Sequence, residues 1–199
     1  PALVLQNGKF ITKLPLENVR KKYHRGIGIQ DEFLVDHAET YTFYHYYKNK
    51  GLRNIRFYAG FPEVHFKTVK TFIETGLGSK KPTIHLPEVN KVIAPMTFLT
   101  QALKEVKVPE GYKETENLWV RIWGKKNGQK KILLMECVVP TLKGWEDAYT
   151  NIDTGMPISI MAQMIKKGII EDKGCFSPEG CVPPIPYFKE LRKRKMIVY

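Results

Sequence analysis

Serine is almost missing from this chain. Its three occurrences, Ser79, Ser159 and Ser177, include no G-x-S-x-G elbow, which argues against serine hydrolysis. Cysteine is equally sparse and odd in number, with Cys137, Cys175 and Cys181, so a secreted disulfide framework is excluded. Cys175 and Cys181 could meet, but free thiols of a cytoplasmic protein are the preferred reading. No apolar run approaches the ~20 residues of a membrane span, and no signal-peptide pattern opens the chain. The longest apolar stretches, such as Ile132-Leu133-Leu134-Met135, are strand-sized. Acidic residues are also short, 20 against 32 Lys plus Arg, leaving a formal charge of +12 over 199 residues.

What is present is globular. Hydrophobic residues make up 43% and charged residues 26%, and a chain of this length can bury roughly 70% of its unfolded surface in one core. No linker or repeat interrupts it, so residues 1–199 read as a single domain. It begins at Pro1 with the apolar run Ala2-Leu3-Val4-Leu5 and no initiator Met, which reads as a cut inside a larger protein.

Gly and Pro punctuate the chain regularly. Residues 2–5 and 9–12 read as strands around Asn7-Gly8, and residues 15–31 as an irregular basic stretch. Phe33-Leu34-Val35 leads to Asp36, an expected N-cap for a helix through Glu39 to Lys48. Arg53–Ala59 reads as a strand, and helices are expected to follow Pro62 and Pro95. Asn127-Gly128 is the strongest hairpin signal, joining Leu118–Gly124 to Lys130–Val139. Pro157 is expected to open a helix with Ile158, Met161, Ala162 and Ile165 on one stripe. A final helix, Pro184–Lys195, precedes a short strand. The expected class is α+β, with a mixed, largely antiparallel sheet covered by helices.

Gly26-Ile27-Gly28 lacks the third glycine of a dinucleotide loop, and no strand is expected before it. The five histidines have no metal-binding spacing, so no metal is expected. Asp36, His37 and Glu39 form a polar cluster at a strand-to-helix junction, where binding groups often sit. The basic runs Arg20–Arg25, Lys125-Lys126 with Lys130-Lys131, and Arg192–Lys195 do not interleave with stacking aromatics, which weighs against nucleic acid. A substrate bearing several carboxylates uses the same positive field.

Several segments resemble the C-terminal domain of the saccharopine dehydrogenase family. The start, Pro1 through Asn7-Gly8-Lys9, is similar to its P-x-x-hydrophobic…N-G-K opening, and Val35-Asp36-His37-Ala38-Glu39 to its V-x-H-x-E segment. Arg53-Asn54-Ile55-Arg56-Phe57-Tyr58-Ala59-Gly60-Phe61 is similar to a strand ending R-Y-x-G-F. The most specific stretch is Gly155-Met156-Pro157 through Ala162-Gln163-Met164, then Gly168 and Ser177-Pro178-Glu179. Pro186-Tyr187-Phe188 with Glu190-Leu191 resembles the family's terminal helix.

The resemblance implies a fold like the C-terminal domain of glyceraldehyde-3-phosphate dehydrogenase and a substrate-binding, homodimer-forming role. NAD or NADP would be bound mainly by an N-terminal Rossmann domain outside this chain. The reaction implied is reversible reductive amination at a secondary amine, cleaved oxidatively to aldehyde and amino acid. This chain would hold a small dicarboxylate or amino-acid-derived substrate and be inactive alone. Arginine forks suit carboxylates, so the expected substrate-binding residues are Arg56 and Arg53, with Tyr58, Gly60, His37 and Glu39. Strand alternation would put Arg53 and Phe57 on one face and Arg56 and Tyr58 on the other. No catalytic residue is assigned. Two other readings stand beside this one: a polyamine-forming enzyme of the carboxynorspermidine dehydrogenase type, and a basic nucleic-acid-binding module.

Overall fold

The computed structural model describes residues 1–199, the side chain of Glu17 excepted. β1 (Ala2–Gln6) and β2 (Lys9–Lys13) form a hairpin whose turn residues Asn7 and Gly8 have φ of 52° and 81°. Two positive φ values match the right-handed twist of the flanking strands.

The stretch expected to be irregular is a second hairpin. β3 (Arg20–His24) runs antiparallel to β4 (Gly28–Leu34). Gly26, at φ 77°, makes the turn possible, and it packs so closely on the body that an added Cβ would meet Val138 Cγ1 at 3.0 Å. A strand therefore does precede Gly26-Ile27-Gly28. A strand also follows it, so the strand–glycine–helix unit that cradles a pyrophosphate is absent here.

α1 (Glu39–Tyr47) starts three residues after Asp36. Asp36 is not its cap: Oδ1 instead accepts the backbone N–H of Leu3 at 3.2 Å, tying α1's approach to β1. The expected strand from Arg53 is also shorter, since β5 covers only Tyr58–Phe61 and pairs with β4. Residues 53–57 change partners on the way. Ile55 exchanges backbone hydrogen bonds with Leu5 at 3.0 and 3.1 Å, and the Phe57 carbonyl then accepts Val35 N–H at 3.2 Å. No continuous ladder fixes Arg53 and Arg56 on opposite faces.

α2 (Glu63–Glu74) packs beside β5, β6 (Ile84–Leu86) pairs with β7 (Lys91–Ile93), and α3 (Pro95–Lys104) follows. The Asn127-Gly128 hairpin is longer than expected: β8 (Thr115–Lys126) and β9 (Gln129–Pro140) pair along twelve residues each. α4 (Ile152–Lys166) begins five residues before Pro157, which lies inside it. Ile152 is 4% exposed, and its burial anchors the additional turn. The expected last helix is α6 (Pro184–Lys193), preceded by a short α5 (Pro178–Cys181) that was not expected, and β10 (Ile197–Val198) closes the chain.

The class is α+β. Every strand pairing is antiparallel, and the ten strands are divided among four small sheets rather than joined in one: β1–β2, β3–β4–β5, β6–β7 and β10–β9–β8. The main core gathers Cys137 and Val139 of β9 with Ile152, Ile160 and Met164 of α4, Leu191 of α6, Ile170 and Met196. A smaller cluster joins Ala2 and Val4 to Leu34, against Tyr58.

Candidate functional site

The basic segment Arg20–His24 alternates, because it is a strand. Arg20, Lys22 and His24 share one face, and across the sheet Arg20 stands opposite Glu32, which stands opposite Gly60. Tyr58 lies on the same face, opposite Leu34. The result is a row of two cations and an imidazole, flanked by a carboxylate and an aromatic ring, facing the inner half of β8.

Glu32 organises the row. Its side chain is 1% exposed; Arg20 Nε donates to Oε2 at 2.6 Å, and His24 Nε2 lies 2.9 Å from Oε1. The second contact lies off the ring's N–H axis, so Nε2 is buried without an aligned hydrogen bond. The Arg20 guanidinium stacks 3.6 Å from the Tyr58 ring centroid and 5.6 Å from that of Trp119. Lys22 Nζ sits 2.7 Å from the Trp119 centroid, a cation–π contact that replaces part of the ammonium's lost hydration.

Burial has a cost that the titration behaviour records. Desolvation lowers the Lys22 ammonium from 10.5 to about 8, with Glu32 opposing and Arg20 and Arg121 assisting. Desolvation likewise holds the His24 imidazole below its ordinary 6.5, against the pull of Glu32. One turn further, Arg25 Nε donates to Glu136 Oε2 at 3.2 Å and its guanidinium lies 4.6 Å from the Tyr199 ring centroid. Burial alone would raise the Glu136 carboxyl; hydrogen bonds from Asn117 and Arg25, with the Arg25 charge, outweigh it and hold it low. Asn117 Nδ2 donates both to Glu136 Oε1 and to the Arg25 carbonyl, each at 3.1 Å, fastening the β3–β4 turn to the β8–β9 ribbon.

This arrangement suits a carboxylate. Arg20 gives Nε to Glu32, and among the described residues its two terminal amines donate to nothing; the fork is 41% exposed and retains donors for a second, external acid. Lys22 adds a desolvated point charge that becomes neutral above its lowered pKa. Within the basic run only His24 is buried; the Arg20, Lys21 and Arg25 side chains stay 41%, 67% and 55% exposed while pairing with acids of the chain.

Of the expected site residues, Tyr58 and Gly60 are in this cleft. Gly60 lies against Glu32: a Cβ there would meet Glu32 Cγ at 3.4 Å, an ordinary contact distance. Arg53 and Arg56 are exposed on the partner-switching segment, with no ion pair among the described residues; the Arg53 carbonyl accepts Gly8 N–H at 2.8 Å. His37 and Glu39 pair with each other outside the cleft, and the His37 ring stacks on Phe57 at 4.3 Å. Arg20, Lys22, His24, Glu32 and Trp119 were not expected. Their signal was the period of two in Arg20-Lys21-Lys22-Tyr23-His24, hidden by reading the segment as a charge run.

Among the described residues no group of three or more His, Cys, Asp or Glu side chains is placed to hold a metal, and all three thiols are free. No helix there is long and apolar enough to cross a membrane. The family model of the saccharopine dehydrogenase C-terminal domain matches residues 1–197. The chain belongs to that family, and is therefore an oxidoreductase-family domain.

Proposed function

We propose that this domain holds the carboxylates of an amino-acid-derived secondary amine of the saccharopine type, within a cytoplasmic NAD(P)-dependent enzyme that cleaves it oxidatively or forms it by reductive amination. The observation that carries the reading is the half-exposed Arg20 fork, pinned by buried Glu32 and stacked on Tyr58, beside the desolvated Lys22. Arg56, exposed and unpaired among the described residues, is the proposed anchor of a second carboxylate. Positioning by such forks converts remote binding energy into alignment of the reacting carbon.

The dinucleotide does not fit this chain: Gly26-Ile27-Gly28 closes a β-hairpin with strands on both sides. NAD or NADP is therefore assigned to a separate nucleotide-binding domain, where it would supply hydride transfer. The basic runs lend little to a nucleic-acid reading, because Arg20, Lys22 and Arg25 lie over aromatic rings of the chain, Arg20 and Arg25 pair with Glu32 and Glu136, and Lys193 and Arg194 pair with Glu190 at 2.6 and 2.8 Å.

Titrating saccharopine while following Trp fluorescence tests the assignment, since Trp119 lines the cleft. In the intact enzyme, Arg20→Lys keeps the charge and loses the fork. We expect the apparent KM to rise about tenfold, the ~1–3 kcal/mol of a charge-assisted hydrogen bond, with kcat nearly unchanged. Lys22→Ala should weaken binding most below pH 8, where the ammonium is charged. An unchanged KM in Arg20→Lys with a large rise in Arg56→Lys would move the site to the partner-switching segment.

A further inference from the structure

In the run Arg20–Arg25, Arg20 pairs with Glu32, Lys21 with Asp31 at 3.8 Å, and Arg25 with Glu136. Lys22 is the exception. Among the described residues no carboxylate reaches ion-pair distance of its Nζ. The Glu32 carboxylate, the acid that acts on it most strongly, is taken by Arg20 at Oε2 and faced by His24 at Oε1. What Lys22 touches instead is the face of Trp119, 2.7 Å from the ring centroid. Two guanidinium groups border the same ring. Arg20 lies 5.6 Å from its centroid. Arg121 follows Trp119 by two positions along β8, which puts both on one side of the strand; it is exposed, with no acid partner among the described residues.

An amine held on an aromatic face between two guanidinium groups, with no acid of its own, is set to lose its proton. The charged groups around it come from every strand packed there: Arg20 and His24 on β3, Glu32 on β4, Arg121 on β8 and Glu136 on β9. Desolvation leads, the two acids oppose it only in part, and Lys22 titrates at about 8. At about pH 7.5 roughly one molecule in four then carries a neutral Nζ, against about one in a thousand for an ordinary lysine. A neutral primary amine attacks carbonyl carbon. The neighbouring cations select which carbonyl compound. The terminal amines of Arg20 donate to nothing among the described residues and offer a carboxylate two parallel donors. Residues two apart on a strand stand ~6.6 Å apart, a gap that a short carbon chain spans across the Trp119 ring.

We propose that Lys22 is a covalent binding site for an aldehyde that carries a carboxylate, its Nζ forming a reversible imine while the acid rests on the Arg20 fork. The nitrogen lone pair forms the C–N bond as the carbonyl π pair moves to oxygen, which takes a proton. The resulting carbinolamine loses that oxygen as one water, nitrogen giving up its proton, and C=N remains. Nothing is oxidised or reduced, and hydration runs the step backward. An aldehyde is one product of the cleavage proposed above, and the imine would hold it in the cleft until water releases it. The seat for the acid rests on that reading of the cleft; the nucleophilicity of Lys22 does not.

Reductive trapping in the intact protein tests it. Succinic semialdehyde with cyanoborohydride at neutral pH should fix an adduct on Lys22, located by peptide mapping, about tenfold or more above any other lysine. Butyraldehyde, which lacks the acid, should label Lys22 about tenfold less, and saccharopine should protect it. Labelling should rise as pH passes through about 8 and disappear in Lys22→Arg, which keeps the charge. Arg20→Gln should bring succinic semialdehyde down to the butyraldehyde level. Lys22 labelled no more than exposed Lys21 or Lys125, or labelled only at the pH of an ordinary lysine, would overturn the inference; saccharopine still quenching Trp fluorescence in that protein would leave the carboxylate cleft standing. Equal labelling by butyraldehyde without protection by saccharopine would overturn the assignment to an acid aldehyde and the reading of the cleft together. If Lys22→Arg misfolds, the peptide map and pH profile of the parent still decide.

Discussion

The two halves of the β8–β9 ribbon share one hydrogen-bonded ladder and almost nothing else. In the inner half, Cys137 and Val139 are buried against α4 and α6, while Trp119 and Glu136 on the other face are covered by Lys22, His24 and Arg25. In the outer half, equally apolar residues on both faces meet solvent. Backbone pairing builds both halves alike; what stabilises one and not the other is coverage, because net backbone hydrogen bonding contributes little beside the removal of apolar surface from water.

That contrast predicts very different outcomes for the same chemistry. Ile160→Ala, at a residue 1% exposed in the main core, should cost about 2–5 kcal/mol, transfer plus cavity. Leu133→Ala, at a residue 52% exposed, should change stability by under about 0.5 kcal/mol in dilute solution. Urea unfolding at low and high protein concentration reads both. Equal losses at low concentration would mean that the outer ribbon is already packed within one chain.

The inner half also has a polar side, and Glu32 tests what holds it. Glu32→Ala leaves Arg20 without its closest acceptor and should cost about 1–3 kcal/mol. It should also lower the Lys22 pKa further, since Glu32 is the charge that opposes its desolvation. His24 supplies the pH dependence. Its folded pKa lies below 6.5, so in the window between the two values the unfolded chain binds the extra proton. The His24 contribution is fully present above about 6.5 and is lost as pH falls toward the folded value. The urea midpoint should drop across that window in the parent and drop less in His24→Gln; identical slopes would remove His24 as the cause.

Much of this was legible in the residues, and what was missed has physical causes. Asn7-Gly8 and Asn127-Gly128 announced both hairpins because two consecutive positive φ values favour those residue pairs. The helices after Pro62 and Pro95 were visible for the same local reason. Pro157 misled because a tertiary contact, the burial of Ile152, extended α4 backward over a residue that usually begins helices. The cleft was half legible. Tyr58 and Gly60 came from a strand that does exist in part, but Arg20, Lys22 and His24 needed the knowledge that β3 lies against Trp119, nearly a hundred residues away. Composition shows charge; only the fold shows that the charge faces inward.

The smallest expected effect sits at the tip. Gly128 has φ of 77°, a conformation an L side chain adopts with strain, although open space surrounds it. Gly128→Ala should therefore cost about 1 kcal/mol through the backbone alone. Because the outer ribbon is exposed on both faces, the cost should stay local: amide exchange should quicken at Lys125 through Ile132, while Cys137 and Val139 keep their protection. Faster exchange reaching Cys137 and Val139 would mean that the two halves of the ribbon open as one unit, and that the contrast between them ends at exposure.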